Sequence, residues 1–283
     1  MKKFLSYVIM FTACMFLYIP DSFSQSLVTS GDINKSMVTD YKQFFTKENC
    51  NQVLIDTFSI CYDWKRKSAT AVYVEVTGEN VVKDIEKRPP FFTDKRVKKE
   101  YRTTSKDYTK SGYDRGHFGA SDASHDWNKK HQKATYSMAN IVPQTPRANR
   151  YKFIALEKHE RDMAVKHGRL ENVTLAYWNA KPKTIGKSKL HVPSAFAKIF
   201  TGKGYRECFF IWNTEEYDEG NGQDPNKYKV PCDDVFKMWG TEVGEVDAWN
   251  IQDSKDLKRL LKKLKDSTGD KSGHIKHMLM LVP

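Results

Sequence analysis

Two stretches of the chain decide the expected fold: Asp114-Arg115-Gly116-His117 and, further along, Asn140-Ile141-Val142-Pro143-Gln144, which leads into Asn149-Arg150-Tyr151-Lys152-Phe153-Ile154-Ala155-Leu156-Glu157. The second stretch lies in an apolar segment, Thr135–Val142, which predicts a short strand ended by the following proline. From Asn149 to Gly168 the apolar residues recur with a helical period, and charged residues lie between them. These patterns predict a strand, a turn and a long helix in immediate succession.

The first stretch carries residue types that suit attack of water on a phosphodiester. A histidine such as His117 titrates near neutrality and can deprotonate water. Arg115 could stabilise charge on the phosphate oxygens, and Gly116 would let the backbone approach a substrate. The alternative is a buried Asp114–Arg115 pair beside a structural histidine, and this short motif alone does not decide between the two.

The predicted helix carries Asn149 near its start and Glu157 two turns later. An amide oxygen is a hard ligand that magnesium accepts while keeping most of its waters. Residues eight positions apart on a helix are separated by about 12 Å along its axis, so both side chains are not expected to bind one ion directly. Glu157 could instead order a metal-bound water. The alternative for Asn149 is a helix cap, for which asparagine is a preferred residue.

The rest of the chain mixes strand and helix patterns without a regular βαβ rhythm. This order predicts an α+β fold with a central antiparallel sheet flanked by helices. The charged segment from Asp84 to Gly112 is expected to be a long surface loop. The strand patterns are Val53–Tyr62 (with one irregularity), Ala69–Thr77, Val173–Trp178, His191–Phe200 and Cys208–Trp212, and Leu257–Leu264 is a basic amphipathic helix.

The N-terminus has the layout of a secretory signal peptide. Lys2 and Lys3 precede an uncharged, mostly apolar run from Phe4 to Pro20, and Ser22 and Ser24 are small residues before a cut. We expect export to a periplasm or the cell exterior and no stable membrane association after cleavage; the alternative is an uncleaved membrane anchor. The predicted organisation is a signal peptide at residues 1–24, an N-terminal arm at 25–49 and a single domain at 50–283.

Charge and cysteine content agree with an exported protein that meets a polyanion. The chain of 283 residues carries a net charge of +12. Such an excess favours a phosphate-rich partner, although a basic surface without a ligand is the alternative. Four cysteines follow the signal segment, and an even count in an exported chain favours disulfides over a zinc site. Of three possible connectivities we predict Cys50–Cys61 and Cys208–Cys232, because each pair closes a short loop.

Taken together, the two stretches resemble the DNA/RNA non-specific endonucleases of the ββα-metal superfamily. The residue types, their order and the spacing from Asn149 to Glu157 all agree with that family. A weaker likeness extends over about residues 52–240 and includes Arg88-Pro89-Pro90-Phe91-Phe92-Thr93-Asp94 and the Val192-Pro193 segment that leads to Lys198. The resemblance implies a ββα-metal site within the nuclease domain at residues 50–283.

The resemblance also implies roles for single residues. His117 would be the general base, Asn149 the one direct protein ligand of Mg²⁺, and Glu157 would act through a metal-bound water. Mn²⁺ is an expected substitute, because an octahedral oxygen site admits both ions. The remaining implied roles are transition-state stabilisation by Arg115, support of the His117 loop or a metal water by Asp114, a clamp on the scissile phosphate by Arg88 and hydrogen bonding that holds the site by Asn140.

The implied activity is hydrolysis of DNA and RNA to leave 5′-phosphate ends. Two alternatives stay open: a secreted binding protein that kept the fold without chemistry, and a nuclease restricted to one nucleic acid or structure. The chain also departs from the family pattern. Phe118-Gly119-Ala120 follows His117 where the family usually has a residue, Ala and then Pro or Ala, and this could reshape the substrate groove. Phe153 stands where Trp is common and is expected to be a core position. The sequence makes no prediction of oligomeric state.

Overall fold

The fold is taken from a computed structural model that describes residues 39–82, 87–125, 127–179, 181–215 and 223–239. The predicted signal peptide at residues 1–24 and the predicted helix Leu257–Leu264 lie outside these ranges. Within them no helix is long and apolar enough to cross a membrane.

A seven-stranded antiparallel sheet forms the centre of the molecule, with strand order β1-β2-β3-β6-β9-β10-β11. This confirms the predicted α+β class with a central antiparallel sheet. The strands of this sheet are β1 Gln52–Ile55, β2 Ser59–Asp63, β3 Ser68–Thr77, β6 Arg169–Tyr177, β9 Ala195–Gly202, β10 Tyr205–Trp212 and β11 Lys229–Val230.

Two pairs of short strands lie outside the central sheet. β4 (Asp114–His117) pairs antiparallel with β5 (Ile141–Gln144), and β7 (Thr184–Ile185) pairs with β8 (Leu190–His191). The β7–β8 hairpin packs on its own small apolar cluster together with Tyr108. The β4–β5 pair therefore places the first quoted stretch directly beside the second.

Helices cover both faces of the sheet. α1 spans Lys129–Thr135, and Asn128 caps it by accepting hydrogen bonds from two backbone amides. A π-helical turn at Ala148–Phe153 continues into α2 (Ile154–His167), and Gly168 ends that helix with φ of +78°. α3 spans Cys232–Trp239. The predicted long helix from Asn149 to Gly168 thus begins as a π-helix, a feature often found at functional sites.

Successive side chains of a strand point to opposite faces of the sheet, so the two faces carry different residues. Val173 and Leu175 of β6 face a core that includes α3 and a 3₁₀ helix, Thr39–Phe45. Leu170 and Ala176 of the same strand face the core under α2. Tyr41 and Phe44 of the 3₁₀ helix are fully buried, so this part of the predicted N-terminal arm packs onto the sheet.

Three predicted strands were wrong in their limits. The strand predicted at His191–Phe200 includes the end of β8 and most of β9, with residues 192–194 between them. Val53–Tyr62 is a hairpin of β1 and β2, because the chain turns between Ile55 and Ser59. The strand predicted at Thr135–Val142 starts only at Ile141 and runs through Pro143. A proline is tolerated there because β5 belongs to a two-stranded pair, in which both strands are edges.

Both predicted disulfides are confirmed. The bonds Cys50–Cys61 and Cys208–Cys232 are formed, with sequence separations of 11 and 24 residues. The first joins the segment before β1 to β2, and the second joins β10 to the start of α3. Each bond therefore holds a peripheral segment against the central sheet.

Candidate active site

The Asp114–His117 strand, β4, pairs antiparallel with β5 of the second motif. Asp114 faces Gln144 across the pair and His117 faces Ile141. A Cβ added at Gly116 would lie only 2.1 Å from the side chain of Gln144, whose Nε2 donates to the His117 carbonyl oxygen at 3.1 Å. Gly116 is thus needed for close packing of Gln144, which differs from the expected approach of a substrate to the backbone.

His117 is half-buried between two aromatic rings. Its ring centroid lies 5.9 Å from that of Phe91 and 5.0 Å from that of Tyr136. Burial, together with the positive charge of Arg88, lowers the pKa of His117 to about 3. Its Nε2 is buried and has no hydrogen-bond partner among the described residues. The imidazole is therefore neutral at pH 7 and retains an unmet hydrogen-bonding capacity, which buried polar atoms rarely have.

Asn140 fixes the turn that follows His117. Its side chain is fully buried, and its Oδ1 accepts from the backbone amides of Gly119 and Ala120. Its Nδ2 donates to the carbonyl oxygens of Ala120 and Thr135 at 2.8 and 2.9 Å. The structure therefore places Asn140 where it can hold the site by hydrogen bonding, as the resemblance implies.

The departure after His117 is absorbed by the core. Phe118 is fully buried, and its ring lies 6.0 Å from that of Phe196. A Cβ at Gly119 would come within 2.3 Å of the Val72 side chain of β3. Phe118 and Gly119 thus pack against the central sheet, and their effect on the substrate groove stays a prediction. Phe153 is buried as expected.

Asp114, Asn149 and Arg150 form one polar cluster at the start of the long helix. Asp114 accepts from Asn149 Nδ2 at 3.1 Å and from the guanidinium of Arg150 at 2.8 and 3.0 Å. Burial raises the pKa of the Asp114 carboxyl, but the hydrogen bonds from Arg150 and Asn149 lower it more, so that the pKa falls below its ordinary value. Asp114 is therefore ionised and fixes the orientation of the Asn149 amide.

This orientation fits a magnesium site at Asn149. Because Nδ2 is directed at Asp114, the amide oxygen is the atom left for a cation. No group of three or more His, Cys, Asp or Glu residues that could hold a metal occurs in the described ranges. Magnesium does not need such a group, because it commonly keeps several waters and takes only one or two protein oxygens. Asn149 and the ionised Asp114 therefore supply a donor set that suits a hydrated Mg²⁺ ion.

Glu157 lies further along the helix and is half-buried. Burial raises the pKa of its carboxyl to about 7; the nearby charge of Lys198 opposes this rise and that of Glu160 adds to it. Glu160 itself is fully buried and accepts from Asn172 at 2.6 Å and from Ser124 at 3.2 Å. The helix thus presents two carboxyl groups close to one buried lysine.

The two arginines of the predicted site are accessible. Arg115 is exposed and lies 4.8 Å above the ring of Phe91, the residue that also contacts His117. The Arg88 side chain is 75% exposed and pairs with Asp122 at 3.0 Å. Both guanidinium groups therefore lie in reach of solvent around His117. Of the predicted site residues, Asp114 and Asn149 are joined by a direct hydrogen bond.

Sequence reasoning missed several residues around the site. His125 is 2% exposed, and its Nδ1 lies 3.0 Å from the Ser121 carbonyl oxygen. Lys198 is fully buried under α2, and its Nζ has no hydrogen-bond partner within the described ranges. Only Arg150 had a signal in the sequence, its position directly after Asn149. Burial of the others depends on tertiary packing, which periodicity does not report.

The fold and the site define a class of protein. A pair of short antiparallel strands that leads through a turn into a helix, beside a large antiparallel sheet, is the arrangement of a ββα-metal nuclease. The chain matches the DNA/RNA non-specific endonuclease family over residues 38–245 and belongs to that family.

Individual relatives agree with this assignment. The chain is 30% identical to human mitochondrial endonuclease G over 157 residues, which are 51% of this chain and 52% of that protein. It is 27% identical to the mitochondrial endonuclease G of Caenorhabditis elegans over 209 residues, 66% of each chain. It spans only about half the length of the human and bovine relatives. A crystal structure of the EndoG/EndoGI complex superposes with a TM-score of 0.60 at 23% identity, over 72% of this chain and 91% of that chain, which shows a shared fold.

Proposed function

We propose that this chain is a magnesium-dependent endonuclease that hydrolyses phosphodiester bonds in both DNA and RNA and leaves 5′-phosphate ends. The observation that carries the proposal is the neutral His117, held beside the Asp114–Asn149 pair by the β4–β5 strands. Membership of a nuclease family supports the reaction class. Lack of base preference follows if the contacts are to phosphate and sugar, which carry no sequence information directly.

In this proposal His117 takes a proton from the attacking water. The imidazole is neutral at pH 7, which is the protonation state that a general base needs. Asn140 holds the turn after His117 and thereby keeps the ring in place. Arg115 and Arg88 are exposed beside His117 and donate hydrogen bonds to the phosphate oxygens as their charge grows.

Asn149 would hold the ion through its amide oxygen, which Asp114 orients. Glu157, further along the helix, would accept hydrogen bonds from water around the ion. A bound magnesium ion polarises the phosphate and stabilises the leaving oxygen. Manganese is expected to substitute, because an oxygen-ligated octahedral site admits both ions.

Export is a second part of the proposal. The signal-peptide pattern of residues 1–24 and two disulfides both suit an oxidising compartment, a periplasm or the cell exterior. N-terminal sequencing of the protein recovered outside the cytoplasm should begin at Gln25. An intact N-terminus, or protein that is found only in the cytoplasm, would contradict export.

The activity is tested on supercoiled plasmid and ribosomal RNA, each with magnesium and with EDTA. The wild type is expected to degrade both substrates only with the metal, and His117→Ala to be at least about 100-fold slower, because a general base is lost. His167→Ala is the matched control, since His167 stacks on Tyr205 at the opposite end of α2. It should cut like the wild type.

Three outcomes would count against the proposal. If the wild type left both substrates intact, the hypothesis of a binding protein without chemistry would replace the proposed nuclease. Cleavage of only one nucleic acid would overturn its breadth in favour of a restricted nuclease. Equal rates for His117→Ala and the wild type would remove His117 from the reaction.

A further inference from the structure

The segment from Lys181 to His191 carries four exposed lysines and no acidic residue. We call Lys181, Lys183, Lys187 and Lys189 the basic arm. The β7–β8 hairpin supplies Lys187 and Lys189, and Lys183 directly precedes it. No ion pair joins any of the four to an acidic residue in the described part of the chain.

The hairpin that carries the basic arm is fixed to the body of the protein. Ile185 and Leu190 are buried, and the backbone amide of Ser188 donates to Asp107 Oδ1 at 3.0 Å. Gly186 adopts φ of +66° and packs so closely that an added Cβ would lie 2.4 Å from Asp107. The hairpin thus presents exposed lysines from a packed support, which suits a surface that binds along a charged polymer.

The basic arm lies next to the candidate active site. The Nζ of Lys183 lies 5.1 Å from the ring centroid of Tyr113, the residue directly before Asp114. Tyr113 and Phe91 pack on the same apolar cluster as the hairpin, and Phe91 contacts both His117 and Arg115. One layer of aromatic side chains therefore separates the basic arm from the proposed base.

A second basic segment continues the surface on the other side of the hairpin. The amide of His191 donates to the Arg66 carbonyl oxygen at 3.1 Å, in the turn Lys65-Arg66-Lys67 between β2 and β3. The Arg66 guanidinium lies 4.7 Å from the Trp178 ring and pairs with Asp63 at 2.8 Å. Even with that pair, the turn and the hairpin together form a strongly positive end of the sheet.

We propose that the basic arm binds the phosphodiester backbone of the nucleic acid on one side of the scissile bond. This inference rests on the proposed function, because it extends the substrate surface of that same site. Flexible ammonium groups suit phosphates of any sequence, and neutralising them releases counterions from the nucleic acid. The basic arm would give the enzyme preference for long substrates over short ones.

Binding is measured first, in a His117→Ala background that prevents cutting. The Kd for a labelled duplex of about 30 base pairs is followed from about 50 to 200 mM salt. We expect the triple variant Lys183→Gln, Lys187→Gln, Lys189→Gln to lower the slope of log Kd against log salt by about 3, roughly one for each lost phosphate contact.

The control removes the same charge elsewhere: Lys42→Gln, Lys166→Gln, Lys203→Gln. These lysines are exposed as well, but they lie in the N-terminal 3₁₀ helix, at the C-terminal end of α2 and in the β9–β10 turn. The control should change the slope by less than about 1, the effect of a single phosphate contact. Equal slopes for the two triple variants would overturn the proposal. So would unchanged duplex binding by the arm variant together with weakened binding to anionic lipid vesicles, which would assign the arm to a membrane.

Cleavage separates this inference from the proposed function. With His117 restored, the triple variant of the basic arm should cut an oligonucleotide of about six nucleotides as fast as the wild type does. Its KM for plasmid should rise about tenfold or more. Failure of the wild type to cut any substrate would contradict the proposed function, while the salt slopes would still test the arm. An equal loss on short and long substrates would overturn the arm as a distal binding surface.

Discussion

The two faces of the central sheet are filled with different kinds of residue. On the face covered by the 3₁₀ helix and α3, the side chains that β6 and β9 contribute to the core cluster are apolar, such as Val173, Leu175 and Ile199. On the face under α2, the same two strands contribute Thr174 and Lys198, which are paired across the strands and fully buried. The candidate site lies on this second face.

This difference indicates that one face contributes mainly to stability and the other to the candidate site. An apolar face stabilises a sheet directly, because buried apolar side chains need no hydrogen-bond partners. Buried ionisable groups such as Lys198 and Glu160 cost free energy when they leave water, and residues of this kind concentrate at functional sites. We infer that the apolar face supplies stability that the α2 face uses to hold its polar groups in place. Substitutions on the two faces should therefore separate stability from activity.

The largest effect is expected on the α2 face, from Asn140→Ala. Four buried backbone groups of Gly119, Ala120 and Thr135 would lose their partner. Each unsatisfied buried group costs about 1–3 kcal/mol, so we expect the free energy of unfolding to fall by about 5 kcal/mol. Nuclease activity should fall as well, because the turn after His117 loses its anchor. Urea unfolding measures the free energy of unfolding, and a plasmid assay measures the activity. A loss of stability below about 2 kcal/mol with full activity would contradict the role of Asn140 in holding the turn after His117.

On the apolar face, Phe44→Ala should reduce stability without touching the chemistry. Phe44 is fully buried, stacks on Tyr41 and Phe236, and meets the edge of Trp239. Truncation of a buried Phe to Ala costs about 3–5 kcal/mol, so we expect a loss of about 4 kcal/mol. The kcat for plasmid, measured well below the melting temperature, should match that of the wild type. A tenfold fall in kcat would show that the two faces are not separable.

Removal of either disulfide should affect the same apolar face, with a smaller loss of stability than Phe44→Ala. Replacement of Cys208 and Cys232 by serine removes a bond that closes a separation of 24 residues, and the chain-entropy relation gives a loss of about 3.5 kcal/mol. The Cys50–Cys61 bond closes 11 residues, so its removal should cost about 0.7 kcal/mol less. Both bonds lie in the apolar cluster, and we expect activity to survive either change. Equal melting temperatures for the wild type and both double variants would refute this expectation.

Prediction from sequence succeeded where the pattern was local. β3, β6 and β10 were found within a few residues, because long runs of apolar and β-branched residues mark them. The hairpin of β1 and β2 was missed because its turn, Asp56-Thr57-Phe58, contains neither glycine nor proline. The β4 strand was not predicted at all, since four residues are too short for a periodicity.

The candidate site residues were predicted from the order and spacing of residue types, and their roles stay predictions. His117, Asn149 and Glu157 were named from two motifs, and the structure places Asp114 in direct contact with Asn149. The buried Lys198 was not named as a site residue, because a single cation in a strand otherwise made of apolar residues has no distinguishing signal. Its burial is decided by α2, which packs across the strand from a distant part of the sequence.

The smallest effect is expected from Glu207→Gln at the edge of the α2 face. The Glu207 carboxylate accepts from Lys229, Tyr205 and His159, and these hydrogen bonds outweigh burial and lower its pKa to about 2. Because the folded-state pKa lies below the ordinary value of about 4.3, the stabilisation is present above that pH and is lost as the pH falls toward 2. We expect the variant to be less stable by about 1 kcal/mol at pH 7, since Lys229 is half-exposed and such pairs are weak. The difference from the wild type should shrink between pH 4.5 and pH 2.5 in urea unfolding. A constant difference over that range would mean that the ionised carboxylate contributes nothing to stability and that Glu207 acts only by packing.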